Sequence, residues 1–254
     1  MEGPGANTPL IARDTAVALA AVVVAGALAW WWLAASSAMP MESGATGMDG
    51  MPGMGWSTAY AFSMFVMWTI MMVAMMLPSA APMILLHART AKDDKFATAA
   101  FAAAYIAVWT AFSAVATVAQ WMLSEVGWLD DAMRLQSRSL AAVLLAGAGL
   151  YQLTPLKQFC LRHCRSPVAY LVHHWRPGTY GAVSMGLTHG AYCVGCCWFI
   201  MALLFVGGVM NLAWILVLTV FVLAERLFPF GDLVGKAAGA VALALAALML
   251  AGVF

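Results

Sequence analysis

The chain has 254 residues, of which 64% are hydrophobic and only 9% are charged, and its formal net charge is +1. Soluble domains carry about a quarter charged residues, so this composition excludes an ordinary soluble domain and indicates an integral membrane protein. The small net charge excludes the basic surface that nucleic-acid binding requires, so no nucleic-acid partner is expected.

Seven apolar segments approach the roughly 20 residues that a helix needs to cross the hydrocarbon core of a bilayer. They are the ranges 15–35, 58–86, 96–123, 139–153, 181–206, 210–227 and 233–253. The fourth is short and a polar run separates the last two, so six spans are the alternative. The sequence therefore predicts an all-α, polytopic transmembrane helical bundle of about seven spans, forming a single domain over residues 1–254.

The basic residues predict the orientation of this bundle. With a cytoplasmic N-terminus, the inward loops and helix ends carry ten of the twelve Lys and Arg residues, which leaves only Arg134 and Arg138 outside. Basic residues are enriched in the cytoplasmic loops of membrane proteins, so we expect this orientation in a bacterial cytoplasmic membrane. Glu225 and Arg226, at the inner end of the sixth span, are expected to pair with each other or to extend toward the interface.

The first loop, residues 36–57, reads SSAMPMESGATGMDGMPGMGWS. Its Gly, Ser and Pro content predicts a flexible extracytoplasmic segment. Met48, Met51 and Met54 recur at every third position, where a flexible polar segment offers no core for them to fill. Thioether sulfur binds soft ions without deprotonation, so we expect this loop to capture Cu(I), with a simple linker as the alternative.

The second span contains a run of methionines at helical spacing, which spreads thioether sulfur over a broad face. Its central members are Met71, Met72, Met75 and Met76. Pro78 and Pro82 follow, and proline removes backbone donors and loosens a helix, as happens at many transport sites. Methionine also fills gaps in ordinary cores, so core packing is the alternative interpretation.

The fifth span carries one histidine and three cysteines on one side of a helix. His189, Cys193, Cys196 and Cys197 stand at positions i, i+4, i+7 and i+8. Soft thiolate and thioether ligands select Cu(I), whereas magnesium or calcium would need oxygen ligands that these spans lack. We therefore predict that the second and fifth spans turn their sulfur faces toward a common copper site. Zinc is the alternative metal, and helix packing by small side chains is the alternative without a metal.

A further group of ligand-type residues lies in residues 154–180, which we predict to be a cytoplasmic loop. Cys160, His163 and Cys164 come first, and His173 with His174 follows. In a reducing compartment such a group is expected to be a metal relay or a reactive thiol pair rather than a structural disulfide.

Two stretches resemble a bacterial family of predicted metal-binding integral membrane proteins. They are MMLPSAAPM in the second span and HGAYCVGCCWFIM in the fifth, and the similarity extends over about residues 64–225. The resemblance implies a polytopic helical fold and metal binding, but neither a reaction nor a transport direction. Its implied ligands are Met71, Met72, Met75, Met76, Cys193, Cys196 and Cys197.

The sequence thus favours a membrane copper-handling protein rather than an enzyme. It is expected to take Cu(I) from the outer loop, hold it at the Met and Cys site, and release it near residues 160–174. Copper uptake or delivery follows, with a periplasmic copper chaperone or a membrane cuproenzyme as protein partner and membrane lipid around the spans. The alternatives are a membrane thiol–disulfide oxidoreductase that uses Cys193 and Cys196, and an accessory subunit of a larger membrane complex.

Overall fold

The computed structural model describes residues 8–38, 56–91, 94, 96–130 and 132–253. In these residues the regular secondary structure is helical, apart from an isolated β-bridge between Leu129 and Leu135. The helices are α1 (Thr8–Ala38), α2 (Thr58–Thr90), α3 (Ala97–Glu125), α4 (Arg138–Gln152), α5 (Pro155–Arg165), α6 (Pro167–His174), α7 (Gly178–Ala202), α8 (Leu204–Gly207), α9 (Leu212–Leu227) and α10 (Gly231–Leu250).

Five helical segments among the described residues are long and apolar enough to cross a membrane. They are most of α1, then α2, α3, α7 continued by α8, and α10. α4 and α5 are bent by 65° at a short break, and together they would make a sixth span. The segments expected as the fourth and sixth spans form α4, with 15 residues, and α9, with 16. Both are shorter than the roughly 20 residues of an ordinary span.

α2 continues through both of its prolines, and at Pro78 a neighbouring helix replaces the lost hydrogen bond. Pro78 has no N–H to donate to the carbonyl of Ala74, one turn earlier. Trp30 of α1 donates its indole N–H to that carbonyl, at 3.1 Å. α1 therefore satisfies the group that the proline frees, as a helix in an apolar surrounding requires.

α7 packs closely against α3 at two glycines. A Cβ atom at Gly186 would lie 2.3 Å from the carbonyl oxygen of Phe101, and one at Gly190 would lie 2.9 Å from the side chain of Val108. Any larger residue would push the helices apart, as at other contacts between apolar helices built on small residues. This approach brings the middle of α3 beside the cysteines of α7.

Residues 154–180, expected as a loop, contain the helices α5 and α6. Each begins with a proline in its first turn, where the missing N–H has no helical partner to lose. α5 runs back along α7, and a Cβ atom at Gly195 would lie 2.9 Å from Cys160 Sγ. An ion pair between Arg165 and Asp232 holds the end of α5 against α10.

Candidate metal centre

Sulfur-bearing side chains from three helices, α2, α5 and α7, meet inside the bundle. Cys196 Sγ of α7 lies 3.9 Å from Cys164 Sγ of α5, and Cys197 Sγ lies 4.0 Å from Met76 Sδ of α2. The predicted contact between the sulfur faces of α2 and α7 is thus present at Met76 and Cys197. We call Met76, Cys164, Cys193, Cys196 and Cys197 the sulfur cluster, and its four cysteines are free thiols.

The sulfur spacing fits a small soft ion. Two sulfurs each about 2.3 Å from one d¹⁰ ion lie roughly 3.8 to 4.6 Å apart, depending on the angle between the two bonds. Both measured separations fall in this range. No group of three or more His, Cys, Asp or Glu side chains has metal-site geometry in the described part of the chain. A pair of sulfurs at low coordination number suits Cu(I) better than tetrahedral zinc.

Other predicted ligands of α2 and α5 are buried on the same helices as the sulfur cluster. Met71, Met72 and Met75 are fully buried in the same helix as Met76. Cys160 is buried one turn before Cys164 and packs on the backbone of α7 at Gly195. Met48, Met51 and Met54 lie outside the described residues, so their role stays a prediction.

Arg226 of α9 reaches into the sulfur cluster. Its Nη2 donates to Cys196 Sγ at 3.1 Å and to Cys197 Sγ at 3.3 Å, and its Nη1 donates to Ser79 Oγ at 2.7 Å. The side chain is buried, and it forms no ion pair with any carboxylate of the described residues. The sequence interpretation that Arg226 pairs with Glu225 or extends to the interface is wrong. A charged residue within an apolar helix was the signal that could have marked it as functional.

Glu225, the preceding residue, belongs to a different buried cluster. Its carboxylate binds Lys157 Nζ of α5 at 2.6 Å, and Lys157 also contacts the side-chain oxygen of Gln152. Lys157 is completely buried, and a Cβ atom at Gly235 would lie 2.4 Å from the Glu225 carboxylate. Neighbouring residues on a helix point about 100° apart, so Glu225 and Arg226 meet different helices. We call Gln152, Lys157 and Glu225 the ion-pair cluster.

Tyr105 of α3 joins the sulfur cluster to α2, a role that its position in an apolar span did not indicate. Its hydroxyl lies 2.9 Å from Cys193 Sγ and 3.2 Å from the carbonyl oxygen of Met76. One phenol thus contacts both helices that supply sulfur, which fixes the position of Cys193.

His189 is buried one turn before Cys193, among aromatic rings. The ring centroids of Tyr105 and Tyr170 lie 5.7 and 5.2 Å away. Its Nδ1 has no hydrogen-bond partner within the described residues. A buried polar nitrogen without a partner costs about 1 to 3 kcal/mol, so His189 stays a candidate ligand, as the sequence predicts.

Three histidines line a cavity of about 290 Å³ beside α5 and α6. In His163, His173 and His174, Nδ1 lies 2.8 to 3.1 Å from the carbonyl oxygen four residues earlier. A carbonyl only accepts hydrogen bonds, so Nδ1 is the donor, and in the neutral imidazole Nε2 is the nitrogen that can bind a ligand. We call these residues the histidine cavity.

The histidine cavity and the sulfur cluster are adjacent. The ring of His163 stacks on Tyr192 with centroids 4.2 Å apart, and Tyr192 directly precedes Cys193. On α5, His163 directly precedes Cys164, whose thiol belongs to the sulfur cluster. Burial raises the pKa of Tyr170 above its usual value, so this cavity residue stays protonated and donates to the Met185 carbonyl.

Comparisons with curated proteins and with solved structures find no match. A family model described as PpoB2, copper chaperone, matches residues 65–249. This range covers most of the chain and includes the sulfur cluster, Arg226 and the histidine cavity. The chain therefore belongs to the PpoB2 copper chaperone family.

Proposed function

We propose that the protein is a membrane copper-handling protein that holds Cu(I) in the sulfur cluster and passes it to the histidine cavity. The observation that carries this proposal is the spacing of two sulfur pairs, Cys164 with Cys196 and Cys197 with Met76, at 3.9 and 4.0 Å. Thiolate and thioether ligands favour Cu(I), and membership of a copper chaperone family supports copper as the cargo.

The positive charge of Arg226 favours a monovalent metal ion over a divalent one. A complex of one Cu(I) with two thiolates has a net charge of −1, and the guanidinium of Arg226 next to it offsets this charge. An uncompensated charge in a buried, low-dielectric site would cost several kcal/mol. A divalent metal on the same two thiolates would instead leave the charge of Arg226 unbalanced. The cluster is therefore suited to Cu(I) by charge as well as by ligand softness.

The proposed route runs inward across a bacterial cytoplasmic membrane. The Met-rich segment, including Met48, Met51 and Met54, captures Cu(I) on the outer side, and the sulfur cluster holds it within the bundle. His163 and His174, with ring centroids 6.2 Å apart, receive it at the cytoplasmic end. This route serves copper uptake or delivery to a membrane cuproenzyme, with a periplasmic copper chaperone as the donor.

Elemental analysis of protein loaded with Cu(I) and purified without oxygen tests the proposal. Wild-type protein should retain copper, and the double variant Cys196→Ser with Cys197→Ser should retain much less. Cys160→Ser is the matched control: Cys160 lies outside the sulfur cluster and packs against the α7 backbone at Gly195, so this variant should retain as much copper as the wild type. Copper-free wild-type protein, or a double variant that retains as much copper, would defeat the proposal.

Trapping of thiols in cells separates this function from thiol–disulfide exchange. A copper site should keep its cysteines reduced throughout, whereas an oxidoreductase should cycle between thiol and disulfide forms. A substantial disulfide fraction that changes with the activity of the cell would favour the oxidoreductase.

A further inference from the structure

A second arrangement of sulfur atoms lies near the N-terminal end of α2, around the buried side chain of Gln120. Its Nε2 lies 2.9 Å from Met133 Sδ and 3.5 Å from Met64 Sδ. The indole N–H of Trp68 donates to Gln120 Oε1 at 2.6 Å. An indole nitrogen only donates, so the oxygen of the amide must face Trp68 and its NH₂ group must face the two sulfurs. We call Met64 and Met133 the thioether pair.

The backbone at Met133 is held in an uncommon conformation. Its φ is 54°, in the left-handed region, where long side chains are rarely found. A hydrogen bond from the Met133 N–H to the carbonyl of Asp130, at 2.8 Å, closes this turn. Such conformations persist where the surrounding structure enforces them, and they concentrate at functional sites. The turn places a thioether from the α3–α4 connection beside one from α2.

A cavity of about 250 Å³ reaches one member of the thioether pair, Met64. Its lining includes Met64, Met67 and Met210, together with Ser36 and Ser37 from the end of α1. Ser37 precedes Met39 by two positions, so the cavity adjoins the start of the Met-rich segment in the sequence. The lining is mainly apolar and contains thioethers, so it suits a soft ion better than a hydrated hard cation.

We propose that the thioether pair is a binding site for a soft monovalent cation, Cu(I) or Ag(I), that enters through this cavity. The proposal rests on the proposed function in that it takes Cu(I) as the cargo. Thioether sulfur is a weak hydrogen-bond acceptor, so a soft cation can displace the amide of Gln120 from both sulfurs. Two neutral ligands leave the ion positively charged, whereas thiolates neutralise it, so the pair holds the ion less tightly than the sulfur cluster does.

The difference in ligand charge predicts the order in which the two sites bind the ion. An ion that moves along α2 from the thioether pair to Met76 and the thiols becomes more tightly bound. Met71 and Met75 lie between them on the same helix and are fully buried. The ion thus binds first at the thioether pair and then at the sulfur cluster.

The test is a titration of the full-length protein with Ag(I), followed by NMR of methionines labelled with ¹³C at the methyl group. Ag(I) is diamagnetic and has the same charge as Cu(I). Signals of Met64 and Met133 are identified by their loss in Met64→Leu and Met133→Leu. Both signals should shift with Ag(I), in wild-type protein and equally in the double variant Cys196→Ser with Cys197→Ser. The signal of Met122, an exposed methionine on α3, should stay in place.

Met133→Gly is the second variant, because glycine adopts the left-handed conformation without strain, so the change removes the thioether side chain while the turn is kept. The concentration of Ag(I) that half-shifts the Met64 signal should rise at least tenfold. An unchanged titration of Met64 in this variant would overturn the pair as a site.

The outcomes separate this inference from the proposed function. Static Met64 and Met133 signals, with a shifting Met76 signal, would overturn the thioether pair and leave the sulfur cluster standing. Shifting Met64 and Met133 signals with a static Met76 signal would support the pair and count against copper binding at the sulfur cluster.

Discussion

Glu225 and Arg226 are consecutive residues of α9, yet they enter two buried clusters with opposite charge balance. In the ion-pair cluster, Glu225 and Lys157 neutralise each other at 2.6 Å. In the sulfur cluster, Arg226 contacts thiols, a hydroxyl and a carbonyl, none of which carries a permanent negative charge. The charges of the first cluster balance without a further ion. The second acquires its counter-charge only when thiols lose protons, which is what binding of a metal ion brings about.

The largest expected effect is a loss of stability on changing the ion-pair cluster. Glu225→Gln leaves the Lys157 ammonium buried without a counter-charge, and the free energy of unfolding should fall by about 3 to 5 kcal/mol. Denaturation in detergent measures this change. The double variant Glu225→Gln with Lys157→Met removes both charges and should recover most of the loss.

The same variants test whether the ion-pair cluster and the sulfur cluster act independently. Folded Glu225→Gln protein should bind as much copper as the wild type. A double variant as unstable as the single one would show that Glu225 and Lys157 do not act as a neutral pair.

A smaller effect, on binding rather than folding, is expected at Arg226. Arg226→Gln keeps hydrogen-bond donors but removes the charge that offsets the Cu(I)–thiolate group. The dissociation constant for Cu(I) should rise at least tenfold, which corresponds to about 1.4 kcal/mol. Competition with a coloured Cu(I) chelator measures it.

Arg226→Lys is the matched control for that experiment. It keeps the positive charge but not the planar donor group, so its loss of affinity should be smaller than that of Arg226→Gln. Equal losses in both variants would show that geometry, and not charge, is what Arg226 contributes.

The smallest effect is expected at Tyr105. Tyr105→Phe removes one hydroxyl that contacts Cys193 and the Met76 carbonyl. A hydrogen bond contributes about 1 kcal/mol, so the affinity for Cu(I) should fall roughly fivefold, as the same chelator competition can measure. The Tyr105→Phe change should leave the ion pair between Lys157 and Glu225 intact. A loss of copper binding as large as that of the cysteine variants would contradict the view that Tyr105 only positions Cys193.

Local patterns in the sequence predicted the helices and one contact between them. Runs of apolar residues marked α1, α2, α3, α7 and α10, and helical periodicity placed Met76 on the face that meets Cys197. The helices, and the face of a helix on which each sulfur lies, depend on residues close together along the chain, so periodicity is sufficient to find them.

Contacts between distant residues were not predictable in the same way. Cys164 reaches Cys196 because α5 turns back along α7, and that approach requires the absence of a side chain at Gly195. The partner of Arg226 depends on the direction in which it leaves α9, and an adjacent residue of opposite charge suggested the wrong one. Composition and periodicity contain no information on either.

X-ray absorption at the copper edge, on protein loaded with Cu(I), tests directly whether the sulfur cluster binds copper. For protein loaded with one equivalent of Cu(I), the sulfur cluster predicts a spectrum dominated by sulfur neighbours at about 2.3 Å, as for other d¹⁰ ions bound by thiolate, and a clearly weaker sulfur signal in Cys196→Ser with Cys197→Ser. Copper surrounded only by nitrogen and oxygen in the wild type, or a sulfur signal that the double substitution leaves unchanged, would contradict it.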